Sequence, residues 1–359
     1  MAARPRAVAS RITGVADVAA LMRASAWGAF PELPDRVLRA IAAKAPNTRN
    51  SIRACYGVWR AWCLKQTPAC ESFAAEPREI AQFLQDNGPP IRVSRAGDFQ
   101  VSREGLTSSG APTKTYATLQ RYLAVLGKLH LEAGLSDPTK DPEVVAVWRV
   151  LRRGLSRPKQ KAALGLDAIR KAVALLPPTA IGKRNRALLL LAYALMARRS
   201  ELVALNVENF AFDEDGSATV TFERIKTGET STSYLPVDIV DVVREWLDAA
   251  KIKTGAVFVR LDKARDGKRE RMDAAWIAAV FKNVARQLAL PDLDPSNVSS
   301  HSVRIGATHD LVEDGASDAA IMRDAGWKTT RMVGMYSRGA KAKQGAMARK
   351  LGRSNIEYE

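Results

Sequence analysis

The chain has 359 residues, with 55 Lys and Arg against 38 Asp and Glu, for a net charge of +17. At ~150 residues per domain this is room for two domains, each with its own core, and a basic excess spread along the chain suits a polyanionic partner. The longest apolar stretch, residues 187–197, is too short to cross a membrane and reads as a buried helix.

Cys55, Cys63 and Cys70 form an odd set without paired zinc spacing, and the three histidines lie far from them in sequence. Neither a disulfide framework nor a structural zinc is expected, and the expected setting is reducing and cytoplasmic. Residues 1–40 open with Arg4, Arg6 and Arg11 and no acid before Asp17. This reads as a basic, partly disordered arm rather than an organelle transit peptide.

Over residues 48–66, Ile52, Cys55, Val58, Trp59, Trp62 and Cys63 recur at helical spacing, with Asn47 or Thr48 available as N-cap. The opposite face carries Arg49, Arg53, Tyr56 and Arg60, a cationic stripe with an interleaved aromatic that is expected to look outward, toward solvent or toward phosphates. A second helix is expected over 77–85, with Pro77 at its first position. Residues 88–113, rich in Gly, Pro, Ser and charge, read as a long loop. Helix returns over 114–133, closed by Gly134, with Leu119, Leu123, Leu126 and Leu129 inward and Lys114, Arg121 and Lys128 outward. One more helix over 143–155 completes a small all-helical bundle at 41–155. Around Pro158 the basic residues Arg152, Arg153, Arg157, Lys159 and Lys161 stand without an acid. Residues 156–163 therefore read as a linker, suited either to closing around DNA or to serving as a solvated hinge.

The second half, 164–340, begins with helices over 166–176 and 183–197. Alternation over 217–225 then signals a strand, paired through a turn at Lys226-Thr227-Gly228-Glu229 with a second strand over 230–235. Helices resume over 239–250 and 272–288.

Arg198 and Glu201 close the buried helix three residues apart on one face, while Arg199 points about 100° away. This is either an internal ion pair or a guanidinium fork held by Glu201 and aimed at a phosphate. Ser299-Ser300-His301-Ser302-Val303-Arg304 looks like a helix start, where free amides and the dipole favour an anion beside His301 and Arg304, although a structural histidine fits as well. Gly315 and Gly326 end successive helices, leaving Trp327 at a corner and Tyr336 in the segment that follows.

The ordered motifs Arg198-x-x-Glu201, Lys226, His301-x-x-Arg304, Gly326-Trp327 and Tyr336 resemble the tyrosine recombinase (phage integrase) family. The resemblance covers about 47–351 and takes in Gly345-Ala346-Met347-Ala348-Arg349 near the end. It implies a mainly α fold with a small β-sheet, in which a helical-bundle, N-terminal DNA-binding domain precedes an α+β catalytic domain. It also implies that Tyr336 attacks a DNA phosphodiester, Arg198 and Arg304 clamp its non-bridging oxygens, His301 and Trp327 donate to it, Glu201 orients Arg198, and Lys226 protonates the departing 5′ oxygen. Most members have histidine where this chain has Trp327. Where the family's base-reading helix carries contact residues this chain has Ala274 and Ala275, so base contacts are expected from Arg269, Arg271 or Lys282. Residues 88–113 read as an insertion. The expected partners are double-stranded DNA with inverted-repeat arms and three further copies of the chain, docked through a tail at 341–359. No metal or nucleotide cofactor is expected.

Elementary chemistry agrees with such a pocket. A tyrosine of pKa near ~10 is ionised in about one molecule in a thousand at neutral pH, and a phosphodiester repels anions, so both problems call for fixed positive charge. A type IB topoisomerase would use similar chemistry, but the helical first half and the tail argue against it. A catalytically silent DNA-binding regulator is disfavoured because every expected active-site position is filled.

Overall fold

The computed structural model describes residues 15–93, 99–102, 104–155, 160–265, 268–291, 293–338, 340, 345 and 347. By its contacts the chain divides into two compact units, Met1–Lys159 and Gln160–Glu359. The expected linker lies at this division, and its residues 156–159, including Arg157 and Lys159, fall outside the described residues.

The first unit is built from α1 (Val15–Arg23), α2 (Asp35–Ala42), α3 (Pro46–Cys63), α4 (Pro77–Asn87), the strands β1 (Ile91–Val93) and β2 (Phe99–Val101), α5 (Tyr116–Glu132) and α6 (Pro142–Gly154). Its core joins Trp27, Phe30, Leu33, Val37, Leu38 and Ile41 to Trp59, Phe83, Leu126 and Leu151. The basic arm expected through residue 40 is thus corrected: from Val15 onward this segment is helical, and its apolar residues supply one wall of the bundle. Loop 88–113 is corrected too, since Ile91–Val93 pairs antiparallel with Phe99–Val101 in the register Ile91 to Val101.

Helix α3 starts at Pro46, one residue before Asn47 and two before Thr48, with Ala45 as its N-cap. Its outward stripe is only partly as expected. Tyr56 is fully buried, and its hydroxyl donates to Glu32 Oε1 at 3.0 Å. Arg60 pairs with the same carboxylate at 3.0 Å. The aromatic therefore packs inward, Arg60 serves partly as a counter-ion, and Val58, expected inside, is exposed. On α5, Lys114 just before the helix, Arg121 and Lys128 are exposed as expected.

The second unit contains α7 (Leu166–Leu175), α8 (Ala180–Ala194), α9 (Arg199–Ala204), a sheet of β3 (Phe210–Phe212), β4 (Ala218–Arg224) and β5 (Glu229–Leu235), α10 (Val237–Ala249), a ribbon of β6 (Val259–Arg265) and β7 (Lys268–Arg271), then α11 (Ala274–Leu288), α12 (His301–Glu313), α13 (Asp318–Ala325) and α14 (Thr330–Tyr336). Strands β3, β4 and β5 are antiparallel neighbours in that order. Helix α8 ends at Ala194, three residues before the expected end, because Met196 turns left-handed at φ 42°. Arg198 consequently does not close the buried helix; it is the N-cap of the next one.

Two close approaches fix α12. At Gly306 an added Cβ would run into the Leu164 carbonyl. Asp310 accepts from the Leu166 amide at 2.7 Å and from the Tyr193 hydroxyl at 2.6 Å. The helix carrying His301 and Arg304 is therefore locked to the start of α7 and to α8.

Candidate active site

Arg198 has extended backbone at the start of α9, and Glu201 stands at the third helical position. The Glu201 carboxylate, 1% exposed, accepts from the Arg198 amide at 2.7 Å with one oxygen and from Arg198 Nη1 at 2.7 Å with the other. Backbone and side chain of Arg198 are thus both set by one acid. Arg199, exposed, does not share this arrangement.

Glu201 also receives Arg224 Nη1 at 3.3 Å. Arg224, 1% exposed, donates further to the carbonyls of Leu195 at 3.2 Å and Asp324 at 2.6 Å, and its guanidinium lies 4.7 Å from the Phe222 ring. Sequence reasoning missed this residue. The signal was there, because Ala218, Val220, Phe222 and Arg224 alternate onto the buried face of β4.

Arg304, 1% exposed, donates through Nη1 to the Met196 carbonyl and through Nη2 to the Ala325 carbonyl at 2.8 Å. Its Nε is buried without a hydrogen-bond partner. Burial first, then the charges of Arg198 and Arg224, draw its pKa down. Arginine stays protonated nonetheless, so Arg304 is a fixed cation with N–H groups to spare.

His301 is the first residue of α12 after the N-cap Ser300, and its amide donates to the Ser299 hydroxyl at 3.2 Å. Its Nε2 lies 2.5 Å from Tyr336 Oη. Burial, then Arg304 and Arg198, push the His301 pKa down to about 4, so the imidazole is neutral at pH 7. Tyr336, half-buried at the end of α14, stacks on Trp327 with ring centroids 5.1 Å apart, and Arg304 lies 5.5 Å from the Trp327 ring. Burial raises the Tyr336 pKa, while Arg304 and Arg198 act to lower it. The arrangement offers a tyrosine hydroxyl, a neutral imidazole against it, and two guanidinium groups whose fields reach both. That is the equipment for attack on a phosphorus ester.

Of the expected site residues, the structure brings together Arg198, Glu201, His301, Arg304, Trp327 and Tyr336. Lys226 is exposed in the turn between β4 and β5, and among the described residues no hydrogen bond or ion pair of Lys226 reaches the cluster. Lys328 pairs with Glu229 at 3.1 Å, linking that hairpin to the corner after Trp327. The docking tail at 341–359 lies outside the described residues apart from Gly345 and the exposed Met347.

The candidate base readers divide. Lys282 is exposed on α11, and the side chain of Arg269, on β7, lies outside the described residues. Arg271 is exposed as well, and its guanidinium also bonds the carbonyls of Val203 and Leu205, the latter at 3.2 Å, and Asn206 Oδ1 at 2.5 Å, so it ties β7 to the end of α9.

Residues 164–343, just over half of the chain, match the model of the phage integrase family. The chain belongs to the phage integrase family. Among its relatives is the Cre recombinase of Escherichia phage P1, 24% identical over 312 residues that cover 82% of this chain and 84% of the relative. An integrase/recombinase XerD homologue of Selenomonas ruminantium is 23% identical over 306 residues, 82% of each chain. The phage integrase fold is equally evident against solved structures. The XerH site-specific recombinase on palindromic difH substrate, in a post-cleavage complex, superposes at a TM-score of 0.59 with 13% identity, covering 89% of this chain and 83% of that one. A lambda integrase dimer bound to a COC′ core site gives 0.58 and 16%, covering 92% and 80%. At these identities the superpositions establish the fold, a mainly helical architecture with small antiparallel sheets.

Proposed function

We propose that Tyr336 is the nucleophile of a site-specific DNA recombinase, an enzyme that cuts and rejoins DNA strands as members of its family do. Tyr336 Oη attacks the scissile phosphorus and forms a 3′-phosphotyrosine, the bond to the 5′ oxygen breaks, and the phenolic proton passes to His301 Nε2, whose basicity rises when the phosphate anion offsets the charges of Arg304 and Arg198. Arg198 and Arg304 take the charge that builds on the non-bridging oxygens, a role in which preorganised donors lower the barrier most. Lys226, on the exposed hairpin, supplies the proton to the leaving 5′ oxygen. The phosphotyrosine conserves the energy of the broken bond, so a 5′ hydroxyl from a second strand reverses the attack and generates a Holliday junction. The observation that carries this reading is the 2.5 Å approach of Tyr336 Oη to His301 Nε2 in a cluster that holds the buried Arg304.

The DNA is a duplex with inverted-repeat arms, bound by four copies of the chain that dock through residues 341–359. Arg49, Arg53, Lys114 and Arg121 of the first unit, Arg157 and Lys159 of the linker, and Arg269 and Lys282 of the second are the cations we assign to its backbone and bases. Arg60, already paired with Glu32, contributes less.

A nicked suicide duplex, cut from the sequence the protein protects on DNA flanking its own gene, should trap the wild-type protein covalently. Tyr336→Phe should bind that duplex and form no covalent complex. Equal trapping by both proteins removes Tyr336 as the nucleophile.

A further inference from the structure

Tyr336 is held at both ends by a single helix. His301, at the start of α12, meets its hydroxyl. About two turns further along α12, His309 Nε2 lies 2.6 Å from the Tyr336 carbonyl oxygen. A carbonyl only accepts, so His309 Nε2 carries the proton and donates. Tyr336 is the last residue of the short helix α14, where carbonyls lack donors from within their own helix, so an outside donor at this point fixes where the helix stops. Ser337 steadies the same end, its amide and hydroxyl reaching back to the Val333 carbonyl at 2.9 and 2.7 Å. Gln160 Nε2 approaches the Tyr336 carbonyl at 3.4 Å.

The turn of α12 that carries His309 is itself rigid. The adjacent residue, Asp310, is bonded to the Leu166 amide and the Tyr193 hydroxyl, so His309 is presented from a point tied to α7 and α8. A tyrosine whose backbone is pinned there and whose ring is stacked on Trp327 has little freedom left for its hydroxyl.

We propose that His309 is a positioning residue for the nucleophile: by donating to the Tyr336 carbonyl it sets the end of α14, and so keeps the hydroxyl at His301 and in line with the phosphorus. This rests on Tyr336 being the nucleophile. His309 touches no reacting atom. Its loss should therefore slow cleavage and leave DNA affinity alone, since small displacements of a reacting group cost rate steeply.

Three substitutions separate the hydrogen bond from mere packing. Glutamine places an amide nitrogen near the position of Nε2, asparagine stops one methylene short, and leucine fills space without a donor. On the nicked suicide duplex, single-turnover trapping by full-length H309L and H309N should fall about tenfold to a hundredfold, with DNA affinity within about twofold of wild type. H309Q should recover to within about threefold, as a substituted hydrogen bond allows. Should H309L fail to fold, the contrast between H309Q and H309N carries the test. Wild-type trapping by H309N, or H309Q as slow as H309N, overturns the proposal alone. Trapping by Y336F overturns the nucleophile reading and this proposal with it.

Discussion

Glu201 Oε1 lies 2.7 Å from Arg198 Nη1, and the carboxylate that makes this pair is 1% exposed. A lone buried carboxylate is costly. This one has a second cation, Arg224, at 3.3 Å, and it fixes the Arg198 backbone as well. Removing one member of a buried ionic group leaves uncompensated charge, so Glu201→Ala should lower the stability of the catalytic unit by about 3–5 kcal/mol. Glu201→Gln, which keeps the shape and part of the hydrogen bonding, should cost less. Denaturant midpoints measure both, and an unchanged midpoint in Glu201→Ala would contradict the assignment.

The neighbouring arginines make a sharper test. Arg198 is turned back onto Glu201, whereas Arg199 begins α9 with its side chain exposed. Arg198→Ala should reduce suicide-substrate cleavage by about 10²–10³, the cost of deleting one preorganised donor to a developing anion. Arg199→Ala should cleave at close to the wild-type rate. A reversed pattern would shift the register of the site by one residue.

His301 makes stability depend on acid. Its folded pKa is depressed to about 4, against about 6.5 in an unfolded chain. Between those values the unfolded state binds the proton and the folded state does not, so unfolding free energy rises with pH across this window and is level above it. Acidifying from about pH 6.5 toward pH 4 should therefore lower the melting temperature of the DNA-free protein, more steeply than in His301→Gln. Parallel slopes for the two proteins would show that His301 titrates like an exposed histidine.

Much of this site was legible because each group sits in a local pattern: a capped helix start at 299–304, helices closed by glycine at 315 and 326, and an acid three residues after an arginine. What was hidden depends on distance along the chain. Nothing near Tyr56 reveals that Glu32 waits to accept its hydroxyl, so an aromatic spaced among arginines read as outward. The break at Met196 is a backbone conformation with no glycine to announce it, so the apolar pattern of α8 runs on into Arg198. Strands β6 and β7 are rich in charge and form a two-stranded ribbon, so apolar alternation could not disclose them. His309 lay in plain view on α12, but its partner is a carbonyl, which no side-chain motif encodes.

The last expectation concerns which cations meet DNA. Arg271 and Lys282 are both exposed, but the Arg271 guanidinium also bonds Val203, Leu205 and Asn206. Loss of its hydrogen bonds, which solvent screens at this exposed position, should cost Arg271→Ala on the order of 1 kcal/mol of stability, with no change in how DNA affinity depends on salt. Lys282→Ala should melt like wild type and, if the lysine meets a phosphate, reduce the slope of log affinity against log salt by about 0.9. Anisotropy titrations at several salt concentrations, with melts alongside, separate the two outcomes. A reduced slope with an unchanged melt in Arg271→Ala would mean that its carbonyl contacts give way when DNA binds, and would return Arg271 to the DNA-contacting set.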